Sequence, residues 1–207
     1  MGEGAEPPRA GSGAFSAAAG GPPSADAGDD RLIGVLALQG DFEAHARTLR
    51  AIGASVREVR VPADLAGLDA LVIPGGESTV MTLGIEREGL AEPLRELVRS
   101  GAPVLGTCAG LIMLDREHLG VLDVVARRNA FGRQLHSFEA DLEIEGVDGG
   151  PVHAIFIRAP WVAETGPEVR VLASVDGHPV AVRQGNVFAI SFHPELTGET
   201  RLHRLLL

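Results

Sequence analysis

Cys108 is the only cysteine in the 207-residue chain. It stands at the centre of Gly106-Thr107-Cys108-Ala109-Gly110, where an apolar run gives way to a helical pattern. A tight strand–turn–helix lifts its central side chain clear of a sheet, and glycines two residues to either side let the backbone bend without collision. The helix that begins there turns its unpaired N–H groups and positive dipole end toward the sulfur. Both favour the thiolate, the reactive form. The same N–H groups, that of Ala109 above all, suit a developing oxyanion. A lone cysteine more often packs as a small hydrophobe, so the motif gains weight only alongside a base and a group to orient it.

Ser191-Phe192-His193-Pro194-Glu195 offers both at the end of the strand-like run Val187–Phe192. Residues two apart in an extended segment point the same way, and the residue before a proline is pushed out of the helical region. His193 and Glu195 are thus expected on one side, with the carboxylate holding the imidazole as a nucleophile's base is held. An H-x-E pair also suits a metal, but no third ligand stands at suggestive spacing. His45, His118, His136, His153, His178 and His203 are scattered and read as structural or exposed. No metal is expected.

A third motif, Pro74-Gly75-Gly76-Glu77-Ser78-Thr79, follows the apolar run Ala70–Ile73. Its glycines allow a backbone N–H to face the carboxyl edge of a sheet, the usual ligand crevice of open α/β folds. That reading makes Gly76 a second oxyanion donor beside Ala109; the plainer one is a strand-to-helix loop with Ser78 as a helix cap.

Positioning these motifs requires strands that end on one edge. Leu32–Leu38 is a continuous apolar run, as in a strand covered on both faces. Asp41 then precedes a helical stripe of Ala44, Leu49 and Ile52, closed by Gly53. Val56–Val61 and Ala70–Ile73 read as further strands, Leu90–Arg99 as a helix stopped by Gly101, and Pro103–Gly106 as another strand before a helix starting near Ala109. This alternation predicts an α/β fold of three layers: a mostly parallel open sheet with helices on both faces, flavodoxin-like. From Phe138 to Ile190, short strands with turns at Asp148-Gly149-Gly150 and Asp176-Gly177 are expected to add antiparallel strands to the same sheet.

Composition narrows the chemistry. All 18 basic residues are arginine. Without lysine there is no Schiff-base residue for pyridoxal phosphate or a sugar, and no G-x-x-x-x-G-K phosphate loop. No cofactor is implied. A formal net charge of −10 argues against nucleic acid or an anionic membrane as partner, and no apolar run approaches the roughly 18 residues of a membrane span. One cysteine excludes an internal disulfide and fits a reducing, cytoplasmic setting. Residues 1–30 hold 7 Gly, 8 Ala, 4 Pro and 3 Ser. Such a stretch buries too little apolar surface to offset its ordering entropy. It is expected to be a disordered extension ahead of one domain over 31–207.

Together, G-T-C-A-G, P-G-G-E-S and S-F-H-P-E resemble the class I, or triad, glutamine amidotransferases. More narrowly, the chain is similar to the glutaminase subunits of pyridoxal 5′-phosphate synthases. That resemblance rests on Gly34–Gly40 (G-V-L-A-L-Q-G), Arg128–Gln134 (R-N-A-F-G-R-Q), Phe138–Asp141 (F-E-A-D), Phe156–Pro160 (F-I-R-A-P) and His193–Thr197 (H-P-E-L-T), in family order over roughly residues 32–200. It implies Cys108 as nucleophile with His193 and Glu195, and contacts to L-glutamine from Gly76, Glu77, Ser78, Arg128, Ile157 and Arg158. It places Gln39 near the oxyanion region and the partner contact. It also implies a separate (β/α)-barrel synthase subunit, joined in a large hetero-oligomer, as recipient of the ammonia. Arginines suit a substrate carboxylate, which a guanidinium binds bidentately, though each could equally serve a structural ion pair. A triad glutaminase feeding another acceptor, a non-catalytic binding subunit and a cysteine peptidase remain alternatives. The chain departs from the family in residues 1–30, in a short Leu114–Gly120 segment before the H-L-G, and in a short last helix.

Overall fold

The computed structural model describes residues 31–128 and 137–207. The expected disorder of 1–30, and Asn129–Gln134 of the R-N-A-F-G-R-Q block, lie outside the described residues. Five strands form a parallel set: β1 (Leu32–Leu36), β2 (Ser55–Val59), β3 (Ala70–Ile73), β4 (Val104–Thr107) and, much later in the chain, β11 (Val187–Ile190). Between them run helices α1 (Phe42–Ala51), α2 (Ser78–Arg87), α3 (Ala91–Arg99) and α4 (Ala109–Leu114). The intervening strands are β5 (Val124–Arg127), β6 (Ser137–Leu142), β7 (Val152–Ile157), β8 (Trp161–Thr165), β9 (Arg170–Val175) and β10 (His178–Gln184), and the described chain closes with α5 (Arg201–Arg204).

The main sheet has seven strands in the order β2-β1-β3-β4-β11-β10-β9. β1, β2, β3, β4 and β11 pair in parallel, and β10 pairs antiparallel with both β11 and β9. The three-layer α/β expectation therefore holds. The appended strands differ from expectation: only β9 and β10 extend the sheet, whereas β5 pairs β8 and β6 pairs β7 as separate two-stranded ribbons. β6 shows why. It alternates exposed or half-buried residues and buries only Leu142, so it can lie over the core with one covered face. Its Phe138 stacks on Phe156 of β7, ring centroids 4.4 Å apart.

Alternate residues of β3 enter opposite cores, as a two-residue period requires. Leu71 and Ile73 join Met81, Leu94 and Leu111 on one face, while Ala70 and Val72 join Leu49, Phe156 and Phe192 on the other. Of the expected α1 stripe, Leu49 is buried and Ala44 and Ile52 are half-buried, and the covered face extends to two residues not expected there. Its buried residues are His45, Ala46 and Leu49, because a polar neighbour inside the protein makes room for His45.

Strand order places a switch point between β1 and β3. The chain leaves β1 for α1 and β2 on one side, and leaves β3 for α2, α3 and β4 on the other. A crevice opens at such a point beyond the carboxyl ends of the strands, and the loops at Gln39–Asp41 and Pro74–Gly76 border it. They touch closely: at Gly40, which has φ +90°, a Cβ would fall on the carbonyl oxygen of Gly75.

Gly106 and Gly110 serve packing rather than the bend. The backbone turns at Cys108 itself, with φ 48° and ψ −106°. A Cβ on Gly106 would meet Leu114 and the Gly110 backbone, and one on Gly110 would fall on the Ile73 carbonyl oxygen. α4 can therefore lie against β3 and β4 only through glycine. We expect Gly110→Ala to destabilise the protein by about 2 kcal/mol or more, since backbone cannot move aside as a side chain can. Gly53→Ala meets nothing within 4 Å and carries only the strain of φ +95°, about 1 kcal/mol. Urea unfolding midpoints of the two variants separate these costs.

Candidate active site

The three sequence motifs meet at one cleft of ≈ 390 Å³, lined among others by Gln39, Gly76, Glu77, Ser78, Cys108, Ala109, Arg128, Ile157, Arg158 and His193. Every residue singled out in the sequence except Glu195 faces it. Glu195 stands behind His193 with a wholly buried side chain.

Cys108 is delivered by β4, whose end is secured when the Cys108 N–H donates to the Ile190 carbonyl of β11 at 2.8 Å. A positive φ on a non-glycine residue is uncommon and costs energy that the surrounding packing must hold. Here the gain is exposure of the sulfur to the cleft. Sγ lies 4.0 Å from the Ile157 carbonyl oxygen at the end of β7. Ala109, as first residue of α4, brings one of the helix's leading N–H groups to the same spot.

His193 follows β11, and its N–H donates to the Ile155 carbonyl of β7 at 3.0 Å. Its Nδ1 lies 2.7 Å from Glu195 Oε1. The contact expected from the sequence is present, but not for the expected reason. The segment is not extended: Pro194–Leu196 is a single 3₁₀ turn with His193 at its N-cap, φ −113° and ψ 86°. Proline suits the first position of such a turn, and the turn swings Glu195 back beneath the ring.

Burial works against a charged ring at His193. Hydrogen bonding to Cys108 and Glu195, with the charge of both, outweighs it and raises the pKa from 6.5 to about 10. With Nδ1 engaged by Glu195, Nε2 is the ring nitrogen left to serve the sulfur. Such an arrangement can hold a proton ready for a leaving group.

The glycine-rich loop is set from two sides. Gln39 Oε1 accepts the Glu77 N–H at 2.6 Å, and a Cβ on Gly76 would collide with that same oxygen. The cap of α2 is Glu77 and not Ser78: its carboxylate accepts from Thr79 N at 3.2 Å and Val80 N at 2.9 Å. Those bonds, Val80 first, pull its pKa below the usual carboxylate value. Arg128 donates to Thr79 Oγ1 at 3.1 Å and stands 3.9 Å from Glu77 Oε1. Arg158, across the cleft, carries a positive φ of 45°. Two guanidinium groups thus border a cleft whose acid at Glu77 is already occupied.

Three residues were missed from sequence. Asp41 occupies the N-cap position of α1 without capping it. It lines the cleft, and its carboxylate lies with ligand atoms of His193 and Glu195 inside a 4.8 Å group. A third group beside the H-x-E pair therefore exists, brought from β1 by the crevice rather than by spacing. His45 and His203, read as structural or exposed, are fully buried, and His45 Nε2 lies 3.3 Å from Glu195 Oε2. The available signal was His45 on the apolar face of α1, four residues after Asp41. The short Leu114–Gly120 segment is held by buried Asp115, which accepts from Glu117 N, His118 N and His118 Nδ1.

The geometry can be set beside known proteins. Residues 35–207 match the model of the SNO glutamine amidotransferase family. The chain is 56% identical over 182 residues to the pyridoxal 5′-phosphate synthase subunit PdxT of Frankia alni, covering 84% of this chain and 92% of that one. It is 55% identical over 183 residues to the PdxT of Streptomyces avermitilis, covering 84% and 91%. A crystal structure of a glutamine amidotransferase superposes with a TM-score of 0.80 at 48% identity, over 84% of this chain and 96% of that one. The structure of PurLQS from Thermotoga maritima shares the fold at a TM-score of 0.63 and 17% identity, over 85% and 96%.

His193 has a folded pKa above its ordinary value. Its stabilising contribution is therefore complete below about pH 6.5 and is lost as pH rises through about 10. We expect NMR titration to show the ring protonated through neutral pH, with a midpoint near 10. Cys108→Ala and Glu195→Gln should each move that midpoint down toward 6.5. A wild-type midpoint at 6.5 would contradict the pairing.

Proposed function

Because this chain belongs to the SNO glutamine amidotransferase family, we propose that it is the glutaminase subunit of a pyridoxal 5′-phosphate synthase, releasing ammonia from L-glutamine for a synthase partner. One observation carries the reading: a carboxylate–imidazole contact of 2.7 Å set beside the single cysteine, at a strained elbow. Relatives named as the PdxT subunit at 55–56% identity supply the synthase context.

In this reading Cys108 Sγ attacks the carboxamide carbon of glutamine, forming a carbon–sulfur bond while the carbonyl oxygen becomes an oxyanion. The N–H groups of Ala109 and Gly76 receive that oxyanion. The carbon–nitrogen bond then breaks as His193 gives its proton to the nitrogen, and ammonia leaves a γ-glutamyl thioester. Water adds to the thioester while His193 takes one of its protons. Collapse breaks the carbon–sulfur bond, frees glutamate and regenerates the pair. Glu195 keeps the ring oriented and balances its charge throughout.

Substrate recognition is assigned to Gly76, Glu77, Ser78, Arg128, Ile157 and Arg158. The arginines meet the α-carboxylate, since a planar guanidinium pairs with a carboxylate through two parallel bonds. Gln39, bonded to Glu77 N, joins the crevice loop to the oxyanion region and sits where a docking partner can adjust it. The absence of lysine leaves covalent sugar chemistry to the partner, a (β/α)-barrel protein in a larger hetero-oligomer. Residues 31–207 form the glutaminase domain. No described helix is long and apolar enough to cross a membrane; a reducing cytoplasm suits the free thiol of Cys108.

We expect Cys108→Ala, assayed with the synthase partner, to lose glutamate release by about 10³-fold or more while keeping its fold. A glutamine-like electrophile should add one label, at Cys108, by mass spectrometry. Undiminished glutamate release from Cys108→Ala would refute the assignment.

A further inference from the structure

The polar contacts of the site do not end at Glu195. Its Oε1 is on His193, but Oε2 is fully buried and makes no hydrogen bond of ordinary geometry among the described residues. Its neighbour at 3.3 Å is His45 Nε2, on α1. That nitrogen is also 3.2 Å from the hydroxyl of Thr107, the residue before the nucleophile. On its other side His45 Nδ1 lies 2.9 Å from His203 Nε2, on α5. His203 Nδ1 in turn lies 3.3 Å from the Glu199 carbonyl oxygen.

Both rings stay neutral. Burial first, then the nearby His203 and His193, push His45 well below its usual value. Burial takes His203 to about 4 despite the opposing pull of Glu199. Two neutral imidazoles in series carry one N–H each, so the protons can run in only two senses. In the first, His203 donates to the Glu199 carbonyl, His45 donates to His203, and a ring lone pair faces Glu195 Oε2. In the second, His203 Nε2 donates to His45 Nδ1. His45 Nε2–H then points between Glu195 Oε2 and Thr107 Oγ1, and a lone pair faces the Glu199 carbonyl instead.

The two senses fail different acceptors. One abandons a carboxylate oxygen in the core, the other a neutral carbonyl at 3.3 Å. Hydrogen bonds to ionised acceptors are roughly twice as strong as neutral ones, and an unpaired buried charge is the costlier loss. A donor shared between two oxygens also accounts for the off-line approach to Oε2, as in three-centre bonds.

We propose that His45 is a positioning residue of this site, presenting Nε2–H to Glu195 Oε2 and Thr107 Oγ1 so that Oε1 stays on His193 and the imidazole stays turned to Cys108. The proposal rests on the triad reading above. His45 touches no substrate; it acts through Glu195. α1 begins immediately after the Gln39–Asp41 loop, so the same helix that borders the crevice also steadies the back of the triad.

Two measurements test it. In protein labelled with ¹⁵N-histidine, the ring nitrogen shifts of His45 should report the proton on Nε2. A proton on Nδ1 overturns the proposal. In the glutaminase assay with the synthase partner, His45→Leu should lower kcat by about 10- to 100-fold with KM little changed. His45→Gln, whose amide can return an N–H to the same oxygen, should recover most of that loss. A folded His45→Leu protein with wild-type kcat overturns the proposal, as does a His45→Gln protein no better than His45→Leu. Where His45→Leu does not fold, the tautomer and the kcat of His45→Gln against wild type decide. Wild-type protein that releases no glutamate would instead defeat the proposed function, and the tautomer measurement would still decide the role of His45.

Discussion

A buried carboxylate holding an imidazole at 2.7 Å is the contact on which the rest of this structure is organised. Such a pair survives in a core only if both partners are placed by rigid elements and desolvation is offset by hydrogen bonds. The protein supplies both. His193 is tied by its backbone to β7, Glu195 is swung under it by a proline-initiated 3₁₀ turn, and Phe192 packs on Phe156 in the core directly before them. Removing the sulfur would take away one of the two groups that favour the charged ring against burial, which is why the pair and the elbow have to be read as one unit.

The elbow has its own constraint. Cys108 sits in a backbone conformation that side-chain-bearing residues avoid, and α4 must then run so near β3 and β4 that only glycine fits at 106 and 110. Cost at one residue is met by close packing at two others. The Gly40–Gly75 approach does the same for the opposite wall, so both sides of the cleft depend on backbone-to-backbone contact. The Gln39–Glu77 bond joins the two crevice loops to each other.

Charged groups of both signs line the cleft. Arg128 and Arg158 line it together with Cys108, His193 and Asp41. Glu77 keeps its charge while its oxygens cap α2, and it stands beside Arg128. An amino acid that carries both a carboxylate and a carboxamide suits a lining that offers both guanidinium groups and a thiol beside an imidazole.

Much of this was legible in the residues. Runs of buried apolar strand, the G-x-C-x-G turn, P-G-G-E-S and H-P-E are local signals, since chain direction and glycine or proline chemistry act over a few positions. The three-layer α/β architecture follows from strand and helix alternation, and so do the carboxyl-edge loops that hold the site. What spacing could not reveal were relations across the sheet: that β5 to β8 form separate ribbons, that Asp41 turns into the cleft instead of capping its helix, and that His45 and His203 line up behind Glu195 from residues 158 apart. Their positions are chosen by strand order and by the demand that every buried polar atom find a partner. That demand is settled only when the whole chain has packed.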